Sequence, residues 1–393
     1  MDIGILILGA GPAGLSTAIH LARDFPHLTP RVLILDKEHH PRFKLCAGGL
    51  TLDAETILRR LSLDVGEVPH ADASAAHLDF AGKGLSVRSS KRHTLRVIRR
   101  NEFDAWLAKK AESRGIEIRG GVTVKNVEPR ENDVLVETDA GTFTAQVVVG
   151  ADGSNGVTRR CILPNEPVHT ARVLEVITPV GQIANLSSKT QIGNLRYKDH
   201  AFFDFFCVPS GIEGYTWDFP TQINGQPMRC WGIYDANLYP GQSKPPLKET
   251  LAGEMSRHGF DLGEFELKGH PIRWFDPFSE ISVPRVLLAG DAAGADPLFG
   301  EGISMALGYG SVAAREIGEA FQRGNFSFSG YRRRVARSGL GQTLTVRWAL
   351  AHFVYSLNWR WFQILLWRFL KPIVLGFAWL FILNWAGRLP NKE

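Results

Sequence analysis

Three glycines and one aspartate carry the first chemical signal of this chain. The run Gly9-Ala10-Gly11-Pro12-Ala13-Gly14 follows an apolar stretch that includes Ile5, Leu6, Ile7 and Leu8, and Asp36 ends a second apolar run 22 positions after Gly14. Glycines at this spacing let a backbone approach a pyrophosphate, a helix opening at the turn offers free N–H donors, and an acid at this distance accepts ribose hydroxyls. Such residues need a strand before the turn, a helix over 14–23 and a second strand over 31–35, so the spacing predicts a βαβ unit that binds a dinucleotide. The unit alone does not distinguish a nicotinamide from a flavin.

Two later segments narrow the choice. Residues 147–160 read Val-Val-Val-Gly-Ala-Asp-Gly-Ser-Asn-Gly-Val-Thr-Arg-Arg, a buried-strand pattern delivering Asp152-Gly153. Residues 285–303 deliver Gly290-Asp291 from a strand and continue through Gly294, Pro297, Gly300 and Gly302 to Ile303. With the first turn, these segments resemble the three fingerprints of the p-hydroxybenzoate hydroxylase-like flavoproteins. The resemblance covers most of the first 320 residues. It implies FAD as cofactor, Asp291 on the ribityl chain, the backbone at Gly302 and Ile303 against the flavin ring, and Val124 near the adenine. The segment Arg100-Asn101-Glu102-Phe103-Asp104-Ala105-Trp106-Leu107 is similar to that family's Arg-x-x-Phe-Asp-x-x-Leu helix start, whose arginine reaches the cofactor.

Two further stretches point to one branch of the family. Pro41-Arg42-Phe43-Lys44-Leu45-Cys46-Ala47-Gly48-Gly49-Leu50 and Gly214-Tyr215-Thr216-Trp217-Asp218-Phe219-Pro220 resemble the Pro-x-x-Lys-x-Cys-Gly-Gly and Tyr-x-Trp-x-Phe-Pro segments of geranylgeranyl reductases. Ala47 stands where a glycine is usual, and Thr221 follows Pro220 where a lysine is common. Carried onto matching positions, the resemblance implies cofactor contacts from Gly9, Gly11, Ala13, Gly14, Asp36, Lys37, Cys46, Ala47, Arg100, Val124, Asp152, Gly153, Asp291, Gly300, Gly302 and Ile303. Cys46, Tyr215 and Trp217 are the candidates to line the catalytic slot, with Cys46 read either there or as a small buried apolar residue.

At 393 residues the chain exceeds one compact core. The expected fold class is α/β: a Rossmann-like FAD-binding domain interleaved with a substrate domain built on an antiparallel sheet, plus a C-terminal helical tail. The FAD-binding domain takes 1–69, 99–164 and 276–330, the substrate domain 70–98 and 165–275, and the tail 331–393. Within them, a helix is expected over 101–113 and a three-stranded meander near 116–118, 122–127 and 134–138. A hairpin is expected from 200–208 and 215–219 around the turn-rich 209–214, with Phe203, Phe205 and Cys207 on one face and Phe202, Asp204 and Phe206 on the other. An aromatic face over a flavin suits an apolar, elongated substrate. Residues 239–246, rich in proline and glycine, read as a surface loop.

Four cysteines (Cys46, Cys161, Cys207, Cys230) form no C-x-x-C pair, so neither a zinc site nor a disulfide framework is expected, and a reducing cytosol fits. The apolar N-terminus runs directly into the glycine turn as a strand and reads as fold, not as a signal peptide.

Charge is distributed unevenly. Eleven Lys or Arg lie between Phe321 and Lys392 with no Asp or Glu among them, within a chain of net charge +5. Six of the ten tryptophans (Trp348, Trp359, Trp361, Trp367, Trp379, Trp385) share that region with several phenylalanines. Basic and aromatic together could suit single-stranded nucleic acid, but the aliphatic runs 364–366 and 373–375 favour an anionic membrane surface, with no nucleic-acid partner. The 16 uncharged residues between Lys371 and Arg388 would reach about 24 Å as a helix, short of a hydrocarbon core of about 30 Å. An anchor lying in the interface is therefore expected, peripheral on the membrane, and removable near Gly330 without loss of the flavin. Packing of the tail on the substrate domain is the alternative.

No second strand-anchored G-x-G-x-x-G follows Gly14, so NAD(P)H or a ferredoxin is expected to visit as a transient electron donor. The resemblance implies reduction of carbon–carbon double bonds in the prenyl chain of a lipid, quinone or pigment. A flavin monooxygenase and a membrane-tethered electron relay to a quinone remain open, since one fold runs several chemistries.

Overall fold

The computed structural model describes residues 3–88, 92–180 and 199–389. Part of the expected substrate domain (181–198) and the last four residues of the tail, Lys392 included, lie outside the described residues.

The apolar runs at 5–8, 32–35 and 147–150 are buried on both faces, as strands of a parallel sheet covered on both sides must be. They form a six-stranded sheet in the order Ser282–Val283, Val286–Leu288, Val147–Gly150, Ile5–Leu8, Val32–Leu35, Glu117–Arg119. Every neighbouring pair is parallel except Ser282–Val283 with Val286–Leu288. All three fingerprint turns thus leave the sheet at the same, C-terminal edge. Helix Pro12–Asp24 packs against helix Ile303–Arg323. The two come close because Gly310 has no side chain: a Cβ there would lie 2.4 Å from Ser16 Oγ.

The meander differs from expectation. Residues 117–119 pair in parallel with 33–35 and belong to the main sheet. The meander is Val124–Pro129, Val134–Thr138 and Gly141–Ala145, closed by the tight turn at Asp139-Ala140. Its third strand was hidden by its composition, Gly-Thr-Phe-Thr-Ala, which carries too few apolar residues to signal a strand.

A seven-stranded sheet makes the second domain, in the order Lys268–Arg273, Thr170–Pro179, Gln226–Asp235, Gly214–Ile223, His200–Asp204, Ala75–Asp79, Gly84–Arg88. It is antiparallel except where His200–Asp204 runs parallel to Ala75–Asp79. A small sheet of Gly49–Leu50, Leu95–Ile98 and His70–Ala73 joins the two domains.

The large sheet has two faces. Val176, Trp231 and Ile233 point into a core covered by helix Leu247–Arg257. Tyr215, Trp217, Phe219 and Tyr234 point the other way, toward the cofactor domain and the tail. The expected alternation along 200–208 stops at Asp204. Its carboxylate accepts the backbone N–H groups of Ala81 (2.8 Å), Gly82 (2.7 Å) and Phe206 (3.0 Å), which turns the chain out of the strand. Phe205 therefore joins the Tyr215 face, while Cys207 packs with Trp231 on the opposite one.

The tail is not one appendage. Tyr331, Leu340, Leu344 and Trp385 are fully buried in the core of the cofactor domain. Helix Gly339–Ser356 is held by Arg347, whose Nη1 lies 2.6 Å from both Asp296 Oδ2 and Glu301 Oε2. The far end is tied down by Asp53, which accepts the N–H groups of Asn384 (3.0 Å) and Ala386 (2.9 Å). Between these anchors the chain forms Arg360–Phe369 and Lys371–Arg388, bent by 76° at the break near Pro372. Among the described residues no single helix is long and apolar enough to cross a membrane. The basic surplus is smaller than the sequence implied, because Arg323, Arg332, Arg334 and Arg347 pair with carboxylates of the body.

Candidate functional site

The glycine turn is shaped for an anion. Gly9 has φ +111°, and a Cβ there would lie 2.3 Å from the carbonyl oxygen of Ala151; at Gly14 it would lie 2.0 Å from the carbonyl oxygen of Gly9. Both positions exclude a side chain. Ala13 and Gly14 then lie in the first turn of helix Pro12–Asp24, which carries no acidic side chain there among the described residues. Asp36 accepts the N–H of Ala10 at 2.7 Å through Oδ2 and that of Glu38 at 2.9 Å through Oδ1, so the acid also locks the turn it serves. Lys37 is exposed beside it, and Val124 is half-buried at the start of its strand.

Cations gather over this turn. Arg42 Nη2 lies 3.5 Å from where a Cβ of Gly11 would be, 3.4 Å from Asp104 Oδ2, and its Nε has no hydrogen-bond partner among the described residues. Arg100 makes a two-pronged pair with Asp104, both bonds 2.8 Å, and burial leaves that pair intact because each charge neutralises the other. Lys44 Nζ lies 2.5 Å from His270 Nε2. Burial lowers the Lys44 pKa, against the pull of Asp291; burial and then Lys44 push His270 down to about 4, so a neutral imidazole accepts from the ammonium.

Asp291 is half-buried with Ser154 Oγ at 3.4 Å from its Oδ2, and Gly302 stands beside its Oδ1. Gly300 (φ +66°) leaves room for the Tyr234 ring, which a Cβ would meet at 2.7 Å. Gly302 and Ile303 open helix Ile303–Arg323. Three buried tyrosines clamp the preceding loop by donating to its carbonyls: Tyr234 to Pro297 (2.9 Å), Tyr355 to Leu298 (2.6 Å) and Tyr215 to Phe299 (2.6 Å). Asp152 Oδ2 accepts the N–H (2.8 Å) and hydroxyl (2.9 Å) of Thr158 and holds the start of helix Val157–Ile162, its Oδ1 has no hydrogen-bond partner among the described residues, and Gly153 (φ +83°) leaves open space above the backbone.

Cys46 is half-buried where the stretch 41–50 crosses between the domains; its sulfur accepts the N–H of Gly48 at 3.4 Å, and burial raises its thiol pKa against the influence of Arg100. Ala47 packs beside it with the Tyr215–Trp217–Phe219 cluster. The Trp217 indole lies over Gly232, whose Cβ would fall 2.0 Å from it. Phe203 packs on Phe219 (centroids 4.8 Å) and Phe205 on Trp367 (4.1 Å). The result is a packed apolar layer between the sheet and the bent tail helices, bordered by Ala47 and Phe299 on the cofactor side.

Sequence reasoning missed Arg42, Lys44, His270 and Glu175. Arg42 and Lys44 stand inside a stretch that was singled out for its cysteine, so their signal was present. His270 and Glu175 lie in strands with no motif. Glu175 is almost wholly buried beside Cys230, and one carboxyl oxygen has no partner among the described residues. Burial raises its pKa to about 7, with Arg99 opposing.

These groups fit FAD: a pyrophosphate cradle without side chains, an acid for ribose, cations above the turn and a second acid, Asp291, at the inner end. A family profile for an FAD binding domain matches residues 2–222. An uncharacterized protein of Methanosarcina barkeri is 29% identical over 354 residues, covering 90% of this chain and 84% of that one. Digeranylgeranylglycerophospholipid reductase 3 of Methanosphaera stadtmanae is 27% identical over 346 residues, covering 83% and 80%. A geranylgeranyl bacteriochlorophyll reductase-like protein of Thermoplasma acidophilum shares the fold with a TM-score of 0.72, at 19% identity, over 90% of this chain and 88% of that one. The chain belongs to the FAD binding domain family and is a geranylgeranyl reductase-like, FAD-dependent oxidoreductase.

Proposed function

We propose that the protein reduces carbon–carbon double bonds in the prenyl chain of a membrane lipid, quinone or pigment, using electrons brought to FAD by NAD(P)H or a ferredoxin. The observation that supports this most is the aromatic layer on the sheet: Tyr215, Trp217, Phe219, Phe203 and Phe205 pack beneath Trp367 and Ile382 from the tail, and an apolar chain entering between the two would be held in a dry slot. An isolated alkene is a poor hydride acceptor, so a dry slot that aligns it supplies much of the rate. FAD, when bound, supplies the hydride. Cys46, Tyr215 and Trp217 line the slot and exclude water; the Tyr215 hydroxyl is engaged with Phe299 and serves as a wall.

The outer faces of the bent helices expose Trp361 (61%), Phe369 (71%), Ile373 (66%) and Trp379 (65%). Exposed apolar surface of this extent, with Arg360, Lys371 and Arg388 in the same two segments, suits the headgroup level of a membrane. A prenyl chain then passes from lipid into the slot beneath the same helices. Mass analysis of lipids from an expressing host tests the reading: products heavier by two hydrogens are expected, whereas a gain of one oxygen indicates hydroxylation and quinol formation alone indicates an electron relay.

A further inference from the structure

Saturation of an alkene needs a proton as well as a hydride, and most acids around the slot are committed elsewhere. Tyr215 donates to a backbone carbonyl at 2.6 Å. Lys44 and His270 are bonded to one another. The Cys46 thiol is held in its neutral form by burial and is a weaker acid than a carboxylic acid.

Glu175 is the group left over, and its position is specific. It sits on strand Thr170–Pro179 in register with Gly232, which is in register with Trp217, so the three form one row across the sheet. Directly paired residues share a face. Its neighbour Val176 packs on the opposite side with Trp231, which places Glu175 on the face of Tyr215 and Trp217. Because Gly232 has no side chain, the Trp217 indole lies over it and extends toward Glu175. Glu175 is 3% exposed, and one of its carboxyl oxygens has no partner among the described residues. The groups that face it are Cys230 on the adjoining strand, Lys268 on the outer strand and Arg99 before helix Arg100–Glu112.

We infer that Glu175 is the general acid of the reduction, giving its carboxyl proton to the alkene carbon that does not receive the hydride; this rests on the reductive reading above. The O–H bond of Glu175 would break as the new C–H bond forms, bound FAD in its reduced state would be the source of the hydride and its two electrons, and water would reprotonate the carboxylate. Substrate gains two hydrogens. A group buried among Trp217 and Cys230 and uncharged until used is suited to this, since a buried carboxylic acid keeps its proton near neutral pH.

The test uses FAD-loaded wild type, E175Q and E175D. In E175Q, FAD content and reduction of the flavin by dithionite are expected to match wild type, while reoxidation by a prenylated lipid falls at least ~100-fold, and E175D recovers part of it. In infrared spectra of substrate-free protein, wild type should show a carboxylic-acid carbonyl band that titrates and that E175Q lacks. If wild type leaves prenyl lipids unchanged, both the reading and the inference fall. If wild type adds two hydrogens and E175Q reoxidises within threefold of it, or the infrared band survives in E175Q, only the assignment of Glu175 falls.

Discussion

The Trp367 indole stacks on Phe205 with ring centroids 4.1 Å apart and planes within 15°. This contact joins the tail to the substrate-domain sheet and splits the tail's aromatics into two populations: Trp367 and Trp385 packed inside, Trp359, Trp361 and Trp379 left outside.

Removing everything after Gly330 is therefore expected to yield aggregated protein without FAD, because Tyr331, Leu340, Leu344 and Trp385 leave the core with it. The triple variant W361Q/F369Q/W379Q keeps its yellow colour and melting temperature and loses the apolar share of its vesicle binding. Sedimentation with vesicles containing anionic lipid measures this. Added salt weakens the remaining charge-dependent share, at about 1 kcal/mol per Lys or Arg near the surface.

Arg347→Met leaves Asp296 and Glu301 buried without their shared cation. Breaking one side of such a cluster costs about 3–5 kcal/mol. Chemical denaturation should show a loss of that order, and FAD occupancy should fall, because the same loop carries Gly300 and Gly302.

Asp291→Ala should weaken FAD binding more than it weakens the fold. A hydrogen bond to a charged group contributes about 1.5–3 kcal/mol, so roughly 10- to 100-fold weaker retention is expected per bond. Flavin fluorescence released on dilution reads it directly.

Glu175 makes stability depend on pH. Its pKa in the fold, about 7, is raised above the ordinary 4.5 by burial. Its contribution is thus complete below pH 4.5 and is lost as pH rises through 7. E175Q, which cannot ionise, is expected to gain on wild type across that window by about 3 kcal/mol at most. Melting curves of the two proteins at pH 4.5 and 7.5 show whether the gap moves in this direction.

Legibility in the sequence followed the range of the physics involved. The glycine turn, its flanking strands and Asp36 were readable because steric exclusion at Gly9 and Gly14 and burial of 5–8 and 32–35 act over a few residues. The apolar layer was readable in part, from the aromatic residues of the Tyr215 and Trp217 motif. The strand at 141–145 was not, because its pairing with 134–138 supplies what its composition lacks.

What the sequence determined by itself was the dinucleotide unit, the order of the fingerprints and the basic, aromatic character of the C-terminal region. Only the tertiary structure decided that Glu175 shares a row with Trp217, that Arg42 lies over Gly11, and which tail residues are core. Each of these depends on strand register or on which face a neighbouring element covers, and sequence spacing carries no information about either when the partners are distant in the chain, as Arg42 and Gly11 or Glu175 and Trp217 are.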